Sequence, residues 1–332
     1  MLESPGKKKV AVVTGAAGQD GSYLCELLLD KGYASVVGVV RRSGSPKLDN
    51  LRECLRSPRF AVEHADLTDS ASVRGLLARH LPDELYNLAA QSHVGASFST
   101  PEATLAVNAT GVLNCLEAIR AVSPATRLYQ AGTSEMFGSS PPPQSESTPM
   151  LPGSPYACAK LCAHTLVKNY RDAYGMYACS GILFNHESPR RGEDFVTRKI
   201  TLAAARIAAG LQTELRLGNM DARRDWGYAP EYVDAMWRLL QLPAPRDLVI
   251  GTGTTHTIRE FVGFVSEAAG FDLSRHVVTD DAEKRPFDVH SLMADASEAA
   301  RVLGWTPRVL PRELARIMYC ADLTAARRDT CA

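Results

Sequence analysis

The sequence predicts an α/β fold, a doubly wound parallel sheet with a smaller C-terminal α/β lobe interleaved with it. Apolar runs of strand length alternate with helical segments from Val10 to Phe184. This alternation is typical of a parallel sheet covered by helices on both faces. After Asn185 the alternation loosens and the loops lengthen, which predicts the second lobe. The 332 residues, 45% of them hydrophobic, suffice for the large core that such a fold requires.

The composition argues against several classes of function. Basic and acidic residues both number 37, so a formal net charge of +0 gives no electrostatic ground for binding nucleic acid or a membrane surface. No stretch is typical of a signal peptide, and none is expected to reach the roughly 20 apolar residues of a membrane span. The eight cysteines are scattered without a C-x-x-C pair. They favour reduced thiols in a cytoplasm, with neither disulfides nor a metal site.

The first apolar run, Val10–Thr14, is followed at once by a glycine-rich turn at Gly15, Gly18 and Gly21 and by a predicted helix over residues 22–31. Such glycines tighten the turn and let the backbone approach a pyrophosphate. The helix N-terminus then offers free N–H groups to the phosphates. This strand, turn and helix form the Rossmann pattern and predict a dinucleotide site.

The second predicted strand, Ser35–Val40, ends in Arg41 and Arg42. A site that prefers NAD would carry an acidic residue here for the ribose 2′-hydroxyl. Two guanidinium groups suit a 2′-phosphate instead, because they form bidentate, charge-assisted hydrogen bonds. We therefore predict NADP as the cofactor, with a solvated surface pair as the alternative.

The remaining elements of the sheet follow in short units. Ligands of such sheets bind outside the carboxyl ends of the strands, where small residues after the fourth strand leave room for a nucleotide. His93, just beyond them, fits a substrate contact and an ordinary loop histidine equally well. The further predicted strands are residues 60–63, 84–88, 127–131, 177–184 and about 248–251, and the helices are about 70–80, 101–121 and 156–174.

Chemically active side chains are concentrated between Gly132 and Lys160. Tyr156 and Lys160 are four residues apart on a predicted helix and therefore share one face. A tyrosine with its ordinary pKa of about 10 is a poor base at neutral pH, but a nearby ammonium group stabilises the phenolate. Thr133 can bond the same substrate hydroxyl. Together they form a proton relay suited to hydride transfer from an alcohol.

These motifs resemble the extended short-chain dehydrogenase/reductase superfamily and, more narrowly, the GDP-mannose 4,6-dehydratase family. The resemblance covers nearly the whole chain, and the runs 185–192 and 224–227 are its longest and most specific parts. The residues that carry it are 14–24, 41–43, 86–94, 133–135, 154–156, 160, 181–192, 195–200, 218–219 and 224–227.

The resemblance implies a lyase of deoxysugar biosynthesis. The reaction is the NADP-dependent 4,6-dehydration of GDP-mannose to GDP-4-keto-6-deoxymannose. Tyr156 takes the O4 proton while hydride leaves C4. The resulting ketone acidifies the C5 proton, which Glu135 removes, and water leaves C6. The hydride then returns to C6, so no cofactor is consumed.

The resemblance also implies which residues form the site. The implied catalytic residues are Thr133, Glu135, Tyr156 and Lys160. The implied cofactor residues are Gly15, Gly18, Gln19, Asp20, Gly21, Arg41, Arg42, Asp66, Leu67, Leu88, Ala89, Ala90, Tyr156 and Lys160. The implied substrate residues are Ser92, Asn185, Glu187, Lys199, Arg224 and Arg285, with no metal.

The loosening of the alternation after Asn185 suggests how the chain is divided. Residues 1–186, with a return segment at about 229–256, form the predicted NADP-binding Rossmann domain. Residues 187–228 and 257–332 form the predicted lobe that binds the nucleotide-diphosphate sugar. A homodimer or homotetramer is expected.

Three alternatives stay open at this stage. A dehydratase of GDP-manno-heptose would need only a change in pocket shape. A nucleotide-sugar 4-epimerase or 4-reductase would use Thr133, Tyr156 and Lys160 without needing Glu135. A non-catalytic protein that senses NADP is the alternative from outside the enzymes.

Overall fold

The computed structural model describes residues 9–42, 48–280 and 287–329. Its centre is a seven-stranded sheet in the order β11-β6-β5-β4-β1-β2-β3, with all neighbours parallel. This confirms the predicted doubly wound sheet. The strands are β1 Val10–Thr14, β2 Ser35–Val40, β3 Phe60–His64, β4 Glu84–Asn87, β5 Arg127–Ala131, β6 Ala178–Leu183, β7 Asn185–Glu187, β8 Leu215–Leu217, β9 Arg223–Arg224, β10 Trp226–Tyr228, β11 Leu248–Ile250, β12 His256–Thr257 and β13 Val277–Thr279.

Helices cover both faces of the sheet. One face carries α1 and α8, which bury Leu24 and Met236 among other apolar side chains. The opposite face carries α2, α5 and α6, which bury Leu76, Leu116 and Val167. The helices are α1 Gln19–Asp30, α2 Ser70–His80, α3 Val94–Ser97, α4 Pro101–Leu105, α5 Gly111–Val122, α6 Pro155–Tyr174, α7 Val196–Ala208, α8 Ala229–Gln241, α9 Ile258–Ala269, α10 Ser297–Leu303 and α11 Pro311–Asp329.

The long helix predicted over residues 101–121 is interrupted by a π-helical turn at Ala106–Thr110, between α4 and α5. Asn108 lies in this turn and is buried. Its side chain accepts a hydrogen bond from Gln91 N and donates one to Gln91 O, both at 2.8 Å. The extra residue in the turn therefore directs a side chain that fixes the loop after β4, as π-turns commonly do near functional sites.

The helix that runs through this turn, Pro101–Val122, corrects one expectation from the sequence. Its 22 residues are long and apolar enough, by length and composition alone, to cross a membrane. In the fold it is a core helix, because Val112, Leu116 and Ile119 pack beneath the sheet. Its apolar character therefore follows from the core that it covers.

A second cluster of elements stands at the carboxyl edge of the sheet. Its core joins α7, α9 and α11 with the paired strands β8 and β13, around buried Trp226 and Phe261. Between its parts the chain returns to the large sheet through α8 and β11, close to the expected position. Helix α10 also packs on the sheet side, against α8, although it falls within the predicted lobe. The domain boundaries stay a prediction.

Candidate active site

Two adjoining clefts, each of about 490 Å³, open at the carboxyl ends of the strands. We name them by their linings. The glycine groove runs along the turn after β1, and the polar pocket lies between the ends of β5 and β6 and the second cluster. They meet at Asp20, Leu88, Ala90, Ser92 and Arg191, which line both.

The glycine groove is shaped by backbone. A Cβ on Gly15 would lie 2.9 Å from Ala89 N, and one on Gly21 would lie 2.3 Å from Gly15 O, so neither position has room for a side chain. Gly15 also has a φ of +68°, which favours glycine. Helix α1 begins directly after Gly18, and no side chain of the described residues caps its first turn. Free N–H groups at a helix start suit a pyrophosphate, so the groove fits a dinucleotide.

Most of the predicted cofactor residues lie in this groove. Arg41, at the end of β2, lines it, whereas Arg42 does not line either cleft, and both arginines are exposed. Hydrogen bonds from Thr68, with a smaller contribution from the charge of Arg41, lower the pKa of Asp66. The predicted cofactor residues that line the groove are Gly15, Gly18, Gln19, Asp20, Gly21, Arg41, Asp66, Leu67, Leu88, Ala89 and Ala90.

Tyr156 and Lys160 lie in the first turns of α6 and face the polar pocket. The helix starts there because Ser154 caps it, accepting a hydrogen bond from Ala157 N at 3.1 Å, and Pro155 occupies its first position. Lys160 Nζ donates to the carbonyl oxygen of Ala131, at the end of β5, at 2.9 Å. The ammonium group is 5.9 Å from the centre of the Tyr156 ring.

The electrostatics of this pair differ from the sequence-based expectation. Burial raises the pKa of Tyr156 to about 12, and the Thr133 hydrogen bond only partly opposes it. Burial also lowers the pKa of Lys160 to about 8. The net shift of the Tyr156 pKa is therefore upward, opposite to the lowering expected from Lys160, because desolvation by burial outweighs the contacts that favour the phenolate.

Thr133 and Glu135 lie in the turn after β5. Thr133 caps the 3-10 turn Ser134–Phe137, because its hydroxyl accepts a hydrogen bond from Glu135 N at 3.2 Å. Thr133 also lowers the pKa of Tyr156, so its side chain lies near the phenol as well as near Glu135. Glu135 is only 9% exposed, and it lines the same pocket as Tyr156. The structure therefore brings all four predicted catalytic side chains to one pocket.

Arg224 faces Glu135 from the second cluster. Its Nε is 4.0 Å from Glu135 Oε1, and its terminal nitrogens bond Asp288 Oδ1 at 2.8 Å and Val289 O at 2.7 Å. The guanidinium is thus already paired and is buried. The sequence analysis predicted that Arg224 contacts the substrate. A substrate that binds Arg224 would have to displace one of its protein partners, such as Asp288.

The other predicted substrate residues also surround the pocket. Glu187 accepts a 2.5 Å hydrogen bond from Thr197, and its Oε2 is 3.0 Å from Arg191 Nε. Asn185 Oδ1 is buried without a hydrogen-bond partner in the described part of the chain, which suits a ligand group that is not present. Those that line the pocket are Ser92, Asn185, Glu187, Lys199 and Arg224. Arg285 lies outside the described residues.

Several residues of the site were not assigned from the sequence. Arg191 lines both clefts, and its guanidinium lies 3.6 Å from the centre of the Phe195 ring. Asp288 lines the pocket as the partner of Arg224. His93 caps α3, accepting from Ala96 N at 2.9 Å, and also lines the pocket. Arg191 is part of the specific 185–192 run, the one sequence signal that could have found it. Among the described residues, no group of His, Cys, Asp and Glu is placed to hold a metal ion.

Comparison with known proteins shows which family the chain belongs to. The sequence profile described as "GDP-mannose 4,6 dehydratase" matches residues 12–318. The chain belongs to the GDP-mannose 4,6-dehydratase family. The match spans both clefts and every predicted site residue, which confirms the resemblance noted in the sequence.

Relatives in this family match almost end to end. "GDP-mannose 4,6 dehydratase 1" of Arabidopsis thaliana is 50% identical over 332 residues, covering 97% of this chain and 92% of its own. "GDP-mannose 4,6-dehydratase" of Vibrio cholerae is 45% identical, covering 97% and 95%. Among solved structures, the UDP-glucose 4-epimerase of Thermus thermophilus in complex with NAD is 26% identical, with a TM-score of 0.82 over 94% of this chain and 98% of that one.

Proposed function

We propose that this member of the family is an NADP-dependent hydro-lyase that converts GDP-mannose to GDP-4-keto-6-deoxymannose. Close relatives carry the name of this activity. The observation that carries the proposal is the placement of Glu135 beside Thr133 and Tyr156 in one pocket. A dehydrogenase or epimerase needs only the hydroxyl, the phenol and the ammonium group. A buried carboxylate next to them supplies the base that removal of a carbon-bound proton requires.

The redox half of the reaction uses the phenol and the hydroxyl. When bound, a nicotinamide ring accepts a hydride from one carbon and can return it to another. Tyr156 takes the proton of the sugar O4, and Thr133 holds that oxygen through a hydrogen bond. A buried phenol ionises only beside positive charge, and Lys160 and Arg191 are cations that the clefts offer. Lys160 would also bind a ribose hydroxyl of the cofactor.

The elimination half uses the carboxylate. Once C4 is a ketone, the electron pair left on C5 is delocalised into the carbonyl, so a carboxylate can remove the C5 proton. Glu135 takes that proton and returns one to the C6 hydroxyl, which leaves as water. The C5–C6 double bond then accepts hydride at C6 and a proton at C5. Hydride lost from C4 and hydride gained at C6 balance, so no net oxidant is needed.

Substrate and cofactor identity complete the proposal. Arg41 would bind the 2′-phosphate that distinguishes NADP from NAD, and Arg42, outside the groove, would add a weaker, solvent-screened attraction. Arg224 and Lys199 would bind the diphosphate, with Arg224 leaving Asp288 to do so. The buried, unpartnered oxygen of Asn185 would accept from a hydroxyl or an N–H group of the nucleotide sugar.

The deciding experiment supplies GDP-mannose and NADP and follows the sugar nucleotide by mass spectrometry. Loss of one water without net formation of NADPH is expected. Unchanged mass with inversion at C4 would identify an epimerase. Stoichiometric oxidation of NADPH in a parallel reaction supplied with NADPH and a 4-keto sugar nucleotide would identify a reductase. NADP binding without turnover of any nucleotide sugar would identify a binding protein. A parallel assay with GDP-manno-heptose, in which faster turnover would reassign the substrate, distinguishes the two dehydratases.

Glu135→Gln tests the assigned base. Removing a general base typically lowers kcat by about 10²–10⁴-fold. We expect that loss while NADPH binding stays within about twofold, since Glu135 lies outside the glycine groove. Glu63→Gln, on β3 and away from both clefts, is the matched control and should leave kcat unchanged. Normal turnover by Glu135→Gln would show that another group is the base.

The oligomeric state and the cellular location of the protein are also proposals. We propose a homodimer or homotetramer, which light scattering coupled to gel filtration would measure, and a monomer at micromolar concentration would contradict it. The described cysteines are all free thiols. A cytoplasmic location stays a prediction that cell fractionation can test.

A further inference from the structure

Two side chains outside the catalytic set join the glycine groove to the polar pocket. Asp20 lies in the first turn of α1 and lines both clefts. His186 lies in β7, between the pocket-lining residues Asn185 and Glu187, and is 8% exposed. His186 Nε2 and Asp20 Oδ2 are 2.7 Å apart. The contact therefore connects the turn of one cleft directly to a wall of the other.

The surroundings of His186 favour its doubly protonated form. Nδ1 is 2.7 Å from the carbonyl oxygen of Phe184, which can only accept, so Nδ1 carries a proton. Nε2 faces a carboxylate, so it carries one as well. Burial lowers the pKa of His186, but the charge of Asp20 and the hydrogen bonds to Asp20 and Phe184 together outweigh burial and raise the pKa above its ordinary value.

Several neighbouring side chains contact Asp20 and His186 or the segments that carry them. Gln19 and Ser188 add neutral bonds between the same two segments, because Gln19 Nε2 donates to His186 O at 3.0 Å and Ser188 Oγ donates to Gln19 Oε1 at 2.8 Å. The ring of Tyr232 on α8 stacks on the imidazole at 4.5 Å. Arg191 is the like charge that opposes protonation. None of these neighbours can replace Asp20 as a charged acceptor.

We propose that Asp20 and His186 are a positioning pair, which holds the substrate-binding strand in register with the dinucleotide-binding turn as long as His186 is protonated. This inference rests on the proposed function of the two clefts. When Nε2 loses its proton, its lone pair faces the carboxylate and the contact becomes repulsive. Strand β7 can then shift relative to α1, so both ligands bind less tightly and the sugar is less well aligned for hydride transfer.

Asp20→Asn isolates the charge from the hydrogen bonds. The amide can still accept from Gln19 and can donate to a neutral Nε2, so a weaker, uncharged hydrogen bond replaces the charged contact with His186. At pH 6 we expect about a five- to tenfold loss of affinity for NADPH, followed by fluorescence, and for GDP-mannose, followed by calorimetry in the presence of NADP. The ratio of wild-type to variant affinity should fall to one or below as the pH rises through the raised pKa of His186, because the wild-type contact then becomes repulsive while the amide of Asp20→Asn can still donate to Nε2.

That ratio removes the contribution of groups that titrate alike in the two proteins. Lys160 is the exception, because the charge of Asp20 raises its pKa, so the comparison is repeated in the Lys160→Met background. A second readout is the ring resonance of His186, assigned by its absence in His186→Gln. Its midpoint should lie above about 6.5 in the wild type and below it in Asp20→Asn. Wild-type affinities for both ligands in Asp20→Asn at pH 6, or a ratio that does not change with pH, would overturn the proposal.

Two further variants keep the test specific. Glu63→Gln removes a similar carboxylate, 3.2 Å from His80 but outside both clefts, and should change neither affinity by more than twofold. Ser188→Ala removes a neutral bond and leaves the charged pair, so any weakening should not depend on pH. If Asp20→Asn does not fold, His186→Gln keeps a donor towards Asp20 and should bind both ligands with little pH dependence. Failure of the wild type to bind GDP-mannose would instead refute the proposed function.

Discussion

The glycine groove and the polar pocket adjoin each other but are built differently. The groove presents backbone and small side chains, and the start of α1 offers it uncapped N–H groups. The pocket presents charged side chains that already have partners within the protein, such as Arg224 with Asp288 and Glu187 with Thr197. The groove can therefore receive a phosphate without rearrangement. The pocket must exchange existing ion pairs for contacts with its ligand.

Because only the pocket must exchange ion pairs, we expect the pocket to determine which ligands the protein selects. An exchange of partners succeeds only when the ligand satisfies every group that it displaces, because a buried charge left unpaired is costly. In the groove, by contrast, tight backbone packing sets the shape and tolerates little change in volume. Substitutions should therefore act mainly through sterics in the groove and mainly through charge in the pocket.

The largest effect should come from Gly21→Ala. The new Cβ would lie 2.3 Å from Gly15 O and 2.7 Å from Ala16 Cα, so the turn must move. We expect NADPH binding to be lost in a fluorescence titration, together with about 1–3 kcal/mol of stability. The matched control is Gly263→Ala in α9, where a Cβ meets nothing within 4 Å. It should stabilise the protein by roughly 0.5–1 kcal/mol. Normal binding by Gly21→Ala would contradict a groove shaped by backbone.

Lys160→Met tests whether the buried ammonium group of Lys160, which lines the polar pocket, is desolvated. The Lys160 pKa falls on folding, from 10.5 to about 8, so the unfolded chain binds more protons between those pH values and wild-type stability rises with pH. Lys160→Met should remove this rise and be more stable at pH 7 by on the order of 3 kcal/mol. Urea unfolding at pH 7, 9 and 10 measures the difference, with exposed Lys168→Met as the control. A constant difference at all three pH values would show that Lys160 is not desolvated.

The smallest effect is expected at the exposed edge of the groove. Arg41 lines it and Arg42 does not, so Arg41→Ala should lower the preference for NADP over NAD about tenfold, as loss of one charge-assisted bond does. Arg42→Ala should lower the preference less than twofold. Dissociation constants for NADPH and NADH measure both. Equal effects of the two substitutions would mean that the bound 2′-phosphate lies further out than the groove suggests.

Sequence patterns were most informative where the relevant contacts are local. The turn at Gly15 to Gly21 follows its strand directly, and α2 begins at Ser70 with Asp69 as its cap, as the capping signal predicts. Helix α1 starts three residues earlier than expected, at Gln19, because Gly18 itself forms the cap. The π-turn at Ala106–Thr110 could not be predicted, because a contact with Gln91 in another loop accompanies it.

By itself, the sequence determined the doubly wound sheet, the glycine groove and the helical face shared by Tyr156 and Lys160. Each depends on spacing within one short segment, where periodicity and steric limits act directly. Only the tertiary structure decided the charges and pairings. It buried Tyr156 and Lys160 so deeply that their pKa values moved to about 12 and about 8. It also placed Asp20 against His186, 166 residues away. Desolvation and long-range contacts arise from packing, which no local pattern of residues specifies.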